Sequence, residues 1–234
     1  MEKYELVKDD CIIFNGHKMF RIRALKDFQT IHGLTVNTGD LGGFVESEKN
    51  LSQEDNCWVS DNAKVFDNAR VFNNACVYGN ACVCENACVY DDAWVYGDAC
   101  VFENAKVYGD TCVFGDACVF GDACVCGNAR VFNDARVFGN ARVFNDACVY
   151  GDAKVGNNAD ICNDTDYIYV KGLGGISATT FYKCKDNQIG VTCSFFKGTL
   201  DEFISHLKST HKDHKFGKEY LAVVEAVKIH FGLD

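Results

Sequence analysis

The amino-acid sequence predicts a mainly β protein whose central part is a parallel coil of very short strands. Three observations support this prediction: a six-residue repeat that keeps one register from residue 57 to residue 162, turn-forming residues between successive repeats, and a complete lack of proline. About four residues per strand are too few for stable hairpins in series, whereas a coil that bends at each turn can stack on itself.

The repeat consists of Ala-x-Val, a residue that is usually aromatic, and two turn residues. Val or Ile recurs at eighteen positions from Val59 to Ile161, seventeen of them Val, and sixteen of the eighteen residues two places earlier are Ala. Alternate residues of a strand share a face, so Ala and Val point one way and x points the other way. Lys and Arg recur at x, and a narrow dry core cannot hold unpaired charges. Ala and Val are therefore expected to face inward.

The turn residues between the strands are Gly, Asn, Asp or Glu, types that occur in left-handed or tight turns. Such a chain resembles the hexapeptide-repeat family, a superfamily of trimeric, acyltransferase-like proteins that form a left-handed parallel β-helix. It is most similar to a group of bacterial and prophage proteins labelled as acetyltransferases, through F-R-I-R-A-L-K-D-F (20–28), G-D-L-G-G-F-V-E-S-E-K-N-L-S (39–52) and the N-A-x-V-Y-G repeats. The resemblance covers roughly residues 18–160. It implies three faces, about eighteen residues per turn and therefore about six coils.

Three domains are expected: a small N-terminal β cap (1–56), the hexapeptide-repeat β-helix (57–162) and a C-terminal α+β domain (163–234). In the cap, Gly42 and Gly43 are predicted to form tight turns. In the C-terminal domain we expect three strands, a helix that begins with a capping box at Thr199 and Glu202, and a second helix over 218–231.

Charge and hydropathy restrict the partners. The net charge is −10, and residues 57–162 contain 7 Lys/Arg against 14 Asp/Glu, which would repel a phosphate backbone. General nucleic-acid binding is not expected. No apolar run approaches the ~20 residues of a membrane span, and the first residues lack a secretory signal. We expect a cytoplasmic protein, in the host cytoplasm if a phage encodes it, with reduced cysteines.

The repeat offers little for catalysis. Hexapeptide-family acyltransferases use a histidine on or beside the coils and a loop that interrupts them, but this chain has no histidine between His32 and His206 and the repeat never slips. His206, His211 and His214 lack the spacing that places two metal ligands on one helix face. No catalytic residue, cofactor or metal is therefore predicted, and an acyltransferase is the least favoured function.

Cysteines occupy many x positions. At eighteen residues per turn, Cys82, Cys100 and Cys118 form one outward column with Cys84 beside it, and a second column contains Cys88 and Cys124, with Cys126 beside them. Neighbouring turns are ~4.8 Å apart, which would permit a disulfide. We expect these cysteines to act as small fillers and not as nucleophiles, because no histidine or basic partner is evident.

Aromatic residues follow Val in 13 of the 16 repeats between residues 66 and 156. They are expected to point outward in stacked columns on all three faces. Three such faces exceed the apolar area that a monomer normally leaves uncovered. A homo-oligomer is therefore predicted, with a trimer favoured by the family resemblance, although a dimer would use the same columns.

Basic and aromatic residues coincide near the C-terminal end of the coil. Arg130, Arg136 and Arg142 occupy one turn, one on each face, and Lys154 lies above Arg136. Guanidinium groups beside rings suit a nucleotide-like ligand. The predicted ligand-binding residues are Arg130, Arg136, Arg142, Lys154, Phe132, Phe138, Phe144 and Tyr150.

The favoured function is a non-catalytic oligomeric binding protein, in its most specific form a phage-encoded sponge for a nucleotide-like signalling molecule of host immunity. The alternative is a structural or assembly module that binds a protein partner through its aromatic faces.

Overall fold

A parallel β-solenoid followed by a small α+β region makes up the chain in the computed structural model, which describes residues 2–173, 178–211 and 214–233. The predicted mainly β fold is confirmed. The N-terminal strands are β1 (Tyr4–Phe14), β2 (His17–Ala24), β3 (Phe28–Gln29), β4 (Thr35–Val36) and β5 (Leu41–Val45).

The repeat forms eighteen short strands, which we call the shaft. In chain order they are β6 (Trp58–Val59), β7 (Lys64–Val65), β8 (Arg70–Val71), β9 (Cys76–Val77), β10 (Cys82–Val83), β11 (Cys88–Val89), β12 (Trp94–Val95), β13 (Cys100–Val101), β14 (Lys106–Val107), β15 (Cys112–Phe114), β16 (Cys118–Val119), β17 (Cys124–Val125), β18 (Arg130–Phe132), β19 (Arg136–Val137), β20 (Arg142–Val143), β21 (Cys148–Val149), β22 (Lys154–Val155) and β23 (Asp160–Ile161).

These strands form three parallel sheets, and each strand from β6 to β20 pairs with the strand eighteen residues further along the chain. The first face contains β7 and every third strand up to β22, the second face runs from β8 to β23, and the third face runs from β6 to β21. The repeated Ala and Val side chains are fully buried between the three sheets, as predicted. At each bend from Asp61 to Asn157 the first turn residue has a positive φ, which explains the restriction to Gly, Asn, Asp and Glu.

The solenoid has about seven turns, one more than the repeat count predicts. Strand β5 pairs in parallel with β7, with Val45 opposite Val65, and Leu51 forms a bridge with Val71. Both spacings are twenty residues instead of eighteen. Leu51 and Val59 are therefore separated by eight residues instead of six, so the first turn does not fit the strict six-residue period.

Gly42 and Gly43 lie inside β5 and do not form the predicted turns. A Cβ at Gly42 would lie 2.5 Å from the carbonyl oxygen of Val59, and one at Gly43 would lie 2.7 Å from the carbonyl oxygen of Ala63. Both positions require glycine because the backbone of the next strands approaches this closely.

The N-terminal end of the solenoid is closed by the hairpin of β1 and β2 and by two buried side chains. The Tyr4 hydroxyl donates to the carbonyl oxygen of Leu51, at 2.7 Å. The Lys3 ammonium is fully buried and donates to the carbonyl oxygens of Glu54 and Cys57, at 3.0 and 2.9 Å. These bonds satisfy carbonyl groups that have no strand below them.

The C-terminal region begins with a 3-10 helix (Asp164–Asp166) and has a four-stranded antiparallel sheet and two helices. The strands are β24 (Tyr167–Lys171), β25 (Ala178–Lys183), β26 (Ile189–Thr192) and β27 (Lys197–Thr199), and the helices are α1 (Leu200–Thr210) and α2 (Lys215–Phe231).

The two predicted helices of this region are confirmed, whereas the sheet and α2 are longer than predicted. The capping box of Thr199 and Glu202 starts α1, and Gly232 ends α2 in a left-handed conformation. The sheet gains a fourth strand, and α2 begins three residues earlier than predicted, because the His214 side chain accepts from the backbone N–H of Phe216.

The region has its own core around Phe181, Phe203 and Tyr220, but Tyr167 and Tyr182 belong to the core of the solenoid and close its end. Neither helix has an apolar stretch that could cross a membrane, within the part of the chain that the structure describes.

Candidate functional site

The eight predicted ligand-binding residues are divided among the three faces, as the eighteen-residue period requires. Arg136, Phe138 and Lys154 lie on the first face, Arg142 and Phe144 lie on the second, and the third carries the rest, namely Arg130, Phe132 and Tyr150. A single protomer therefore does not bring the three arginines together around one ligand.

On the second face, Arg142 already has partners. Its guanidinium lies 3.6 Å from a carboxylate oxygen of Asp160 and 4.9 Å from the centre of the Phe144 ring. On the third face, Arg130 is exposed beside a column in which Phe132 stacks on Phe114 and Tyr150 stacks on Phe132. Among the described residues, no lysine of the C-terminal region lies over a ring of the second or third face.

The first face differs, because a cation from the C-terminal region lies over one of its rings. Arg136 and Lys154 are register partners in β19 and β22, with their side chains on the outer side of the sheet. Phe138 follows Arg136 on the same side, and the ammonium of Lys197 lies over its ring, 4.4 Å from the centroid. We call Arg136, Phe138, Lys154 and Lys197 the first-face cluster.

The C-terminal region is held against this end of the shaft by backbone and side-chain contacts. The backbone N–H of Lys154 donates to Thr180 Oγ1 at 2.8 Å, and that of Lys185 donates to the carbonyl oxygen of Asn158 at 3.0 Å. Lys171 forms an ion pair with Asp152, which lies in the turn between β21 and β22. These contacts fix β27, and with it Lys197, above the first face.

Gly156 makes room for this arrangement. It occupies the repeat position above Phe138, where a further ring would continue the column, and a Cβ there would lie 2.3 Å from the Phe138 ring. The Phe138 ring occupies the space that a side chain at position 156 would fill. The Lys197 ammonium, and not another aromatic ring, lies over the Phe138 ring. Because residue 156 is glycine and not an aromatic residue, the stacked rings of the first face end at Phe138, next to the C-terminal region.

The cations of the first-face cluster are unpaired. Among the described residues, no carboxylate oxygen lies within 4.0 Å of the charged nitrogens of Arg136, Lys154 or Lys197. Arg136 and Lys197 are exposed, and Lys154 is half-buried. Three unpaired positive charges on one face, one of them over an aromatic ring, form a local site for an anion on a chain of net charge −10.

The predicted aromatic columns are present and stack on themselves. On the second face, the ring centroid of Tyr90 lies 4.9 Å from that of Phe72 and 4.8 Å from that of Tyr108. On the first face, the ring centroids of Phe102 and Phe120 are 4.9 Å apart. The ring planes in each pair are nearly parallel. Most of these rings are half-buried in the single chain, because each one covers its neighbour. The columns therefore leave ring edges, and not whole ring faces, for a partner.

The predicted cysteine column is also present, but the expectation that no basic residue accompanies it is wrong. Cys118 is the register partner of Arg136 on one side and of Cys100 on the other. The hydrogen bond with the Cys100 thiol lowers the pKa of Cys118 to about 7, and the Arg136 guanidinium acts in the same direction. In the second column, Lys106 separates Cys88 from Cys124.

Sequence reasoning missed two further features near the N-terminus. His17, Glu46 and Asp67 come together, with the imidazole nitrogens 3.1 Å from Glu46 and 3.5 Å from Asp67. The hydrogen bond to Glu46 raises the pKa of His17, and since each ring nitrogen faces a carboxylate, the arrangement suits an imidazolium better than a metal ion. No periodic signal connects these three residues, because His17 lies outside the repeat.

The second feature is a groove of about 600 Å³ between the β3–β4 hairpin and the third face. His32, Tyr78 and Trp94 line it, and His32 closes one side by an edge-to-face contact with Trp94, with ring centroids 3.8 Å apart. None of the eight predicted residues lines this groove.

Comparison with protein-family models finds similarity to the YdcK beta-solenoid repeat over residues 135–151, a segment that includes Arg136, Phe138 and Arg142. A search of curated proteins finds no match. The repeat match supports a β-solenoid, a fold that is compatible with acyltransferase-like repeat proteins.

Proposed function

We propose that this protein is a non-catalytic, oligomeric binding protein that holds a small anionic ligand with an aromatic part, of the nucleotide class, at the first-face cluster. The observation that carries the proposal is that three cations from two parts of the fold, none of them in an ion pair, share the first face with the Phe138 ring: Arg136 and Lys154 are register partners, and Lys197 lies over the ring. Arg136 and Lys154 would bind phosphate oxygens, and the ring would stack on the base in exchange for its contact with Lys197.

An oligomer would complete the site. The ring edges of the shaft are regular enough for a second copy to pack against, and a homotrimer is the assembly that we favour. In it the outer side of the first face would line a cleft between protomers. Binding without turnover would lower the free concentration of the ligand, and for a phage-encoded protein in the host cytoplasm a signalling nucleotide of host immunity would be a suitable target.

Native mass spectrometry of the purified protein, before and after incubation with linear and cyclic nucleotides, tests this proposal. We expect a symmetric oligomer with one nucleotide per protomer. Titration calorimetry with the nucleotide that binds should then give a dissociation constant roughly 10- to 100-fold weaker for Arg136→Ala, since a charge-assisted hydrogen bond contributes about 1.5–3 kcal/mol.

Arg130→Ala is the matched control, because Arg130 occupies the same repeat position on the third face, without Lys154 or Lys197 nearby. It should bind like the wild type. Equal weakening by both substitutions, or binding that ignores both, would remove the site.

An assembly module is the second candidate, since stacked ring columns extend along all three faces. A stable oligomer that takes up no nucleotide, even from cell extract, would favour it. An acyltransferase would instead require turnover of an acyl donor.

A further inference from the structure

Three cysteines lie directly above one another on the first face. Cys82, Cys100 and Cys118 are register partners in β10, β13 and β16, and all three are half-buried. Neighbouring strands are ~4.8 Å apart, within the Cα separations that disulfides bridge.

The thiols of this column are not equivalent. Cys82 has Lys64 and Cys100 as its register partners, whereas Cys118 has Cys100 and Arg136. The Cys100 and Cys118 thiols each donate to the backbone carbonyl oxygen two residues earlier, that of Asp98 at 3.7 Å and that of Asp116 at 3.8 Å. Cys100 and Cys118 are thus adjacent thiols on neighbouring turns, and an arginine lies directly beyond one of them.

The surroundings distinguish the two members of the pair. Cys118 lies between Cys100 and Arg136 in the column. Cys100 lies between the thiols of Cys82 and Cys118 and has no cation next to it in the column. The pKa of Cys118 is lowered to about 7 by the Cys100 hydrogen bond and by Arg136, against the effects of burial and Asp116. The same hydrogen bond raises the pKa of Cys100.

We propose that Cys118 and Cys100 form a redox-active dithiol that exchanges with small disulfides bearing carboxylates, of which glutathione disulfide is the representative. The Cys118 thiolate attacks one sulfur of glutathione disulfide, forms a mixed disulfide and releases a glutathione thiolate, which takes up a proton. The Cys100 thiol then loses its proton and attacks the Cys118 sulfur, which closes the protein disulfide and releases the second glutathione. Two thiols and one disulfide thus give one protein disulfide and two molecules of glutathione.

The charges favour this class of reagent. Arg136 and Lys154 continue the column directly beyond Cys118, so the carboxylates of glutathione meet two unpaired cations when its sulfur reaches Cys118. A thiol whose pKa is near the ambient pH is the most effective attacking group in such exchange. The proposal depends on the thiol pair and does not require that the first-face cluster bind a nucleotide.

The test follows individual cysteines by peptide mapping after the reduced wild-type protein meets glutathione disulfide at neutral pH. Cys112 is the matched internal reference, because it occupies the same repeat position and also neighbours an arginine, but its column partners are Trp94 and Arg130 and no thiol. Burial raises the pKa of Cys112. Cys118 should react at least about fivefold faster than Cys112, after the lower nucleophilicity of a low-pKa thiolate is taken into account.

The products give a second readout. The wild type should lose about 2 Da and yield a peptide joined through Cys100 and Cys118. Cys100→Ser should instead gain about 305 Da at Cys118, the mass of one glutathionyl group, because no resolving thiol remains. Cys112→Ser should behave like the wild type.

Equal rates at Cys118 and Cys112, or a disulfide that joins other cysteines first, would overturn the proposal. The rate comparison uses the wild-type chain alone, so the proposal stays testable if a variant fails to fold. Since nucleotides are absent from this experiment, its outcome is separate from that of the nucleotide titration.

Discussion

The shaft and the segments that close it bury their side chains in different ways. In the shaft, every turn buries the same small residues, so that one Val contact is nearly equivalent to the next. In the C-terminal region, Phe203 packs against the rings of Phe181, Phe196 and Tyr220, a set of contacts that no other described residue repeats. Stability of the shaft is thus a sum of similar terms between neighbouring turns, whereas the closing segments depend on individual residues.

Polar groups follow the same division. Asn86 and Asn104 belong to an exposed ladder of side-chain hydrogen bonds that rises one turn at a time. Asn50, in the first turn, is fully buried and is bonded to the backbone of Ser47, Asp67 and Ala69. Loss of one side chain from the exposed ladder leaves the other hydrogen bonds in place, whereas no neighbouring side chain replaces the hydrogen bonds of Asn50.

The largest expected effect is that of Phe203→Ala. Removal of a fully buried ring should lower the free energy of unfolding by about 3–5 kcal/mol. Val119→Ala, which removes two methyl groups from the shaft core, should cost about 2 kcal/mol. Denaturant unfolding of both variants, with hydrogen exchange to locate the loss, measures the difference. A cost for Val119→Ala equal to that of Phe203→Ala would contradict the comparison.

Asn50→Ala should have an intermediate effect. It leaves the buried carbonyl group of Ala69 and the half-buried one of Asp67 without their donor and should cost roughly 2–3 kcal/mol. Asn104→Ala is its counterpart in the exposed ladder and should change the stability by about 0.5 kcal/mol or less. Thermal unfolding of the pair checks this, and similar losses would mean that the ladder is as important as the buried amide.

The smallest effect concerns pH. The folded protein raises the pKa of His17 above its unfolded value, so the stabilisation is complete below about pH 6.5 and is lost as the pH rises through the folded pKa. The melting temperature of the wild type minus that of His17→Gln should therefore fall between about pH 5.5 and pH 8.

His32 serves as the control for this prediction because burial lowers its pKa. Its neutral form is the favoured one, so the corresponding difference for His32→Gln should rise with pH over the same range. A His17 difference that stays constant with pH would show that its ring packs without titrating.

Part of the candidate site could be predicted from the sequence. The eighteen-residue period places Lys154 next to Arg136, and it equally places Cys118 next to Arg136, although only the first pair was used to predict chemistry. Lys197 could not be found in this way, because it follows Phe138 by 59 residues in a segment without a period. The first turn was missed because two inserted residues change its spacing to twenty.

The sequence by itself determined the shaft: its strict period decides which residues face inward, which face outward and which are vertical neighbours. This is possible because each turn contacts only the turns next to it, so local spacing contains all of the necessary information. Only the tertiary structure decided how the ends are closed and that the C-terminal region brings Lys197 to the first face. Those contacts join residues far apart in an aperiodic chain, and their geometry depends on how whole side chains pack together.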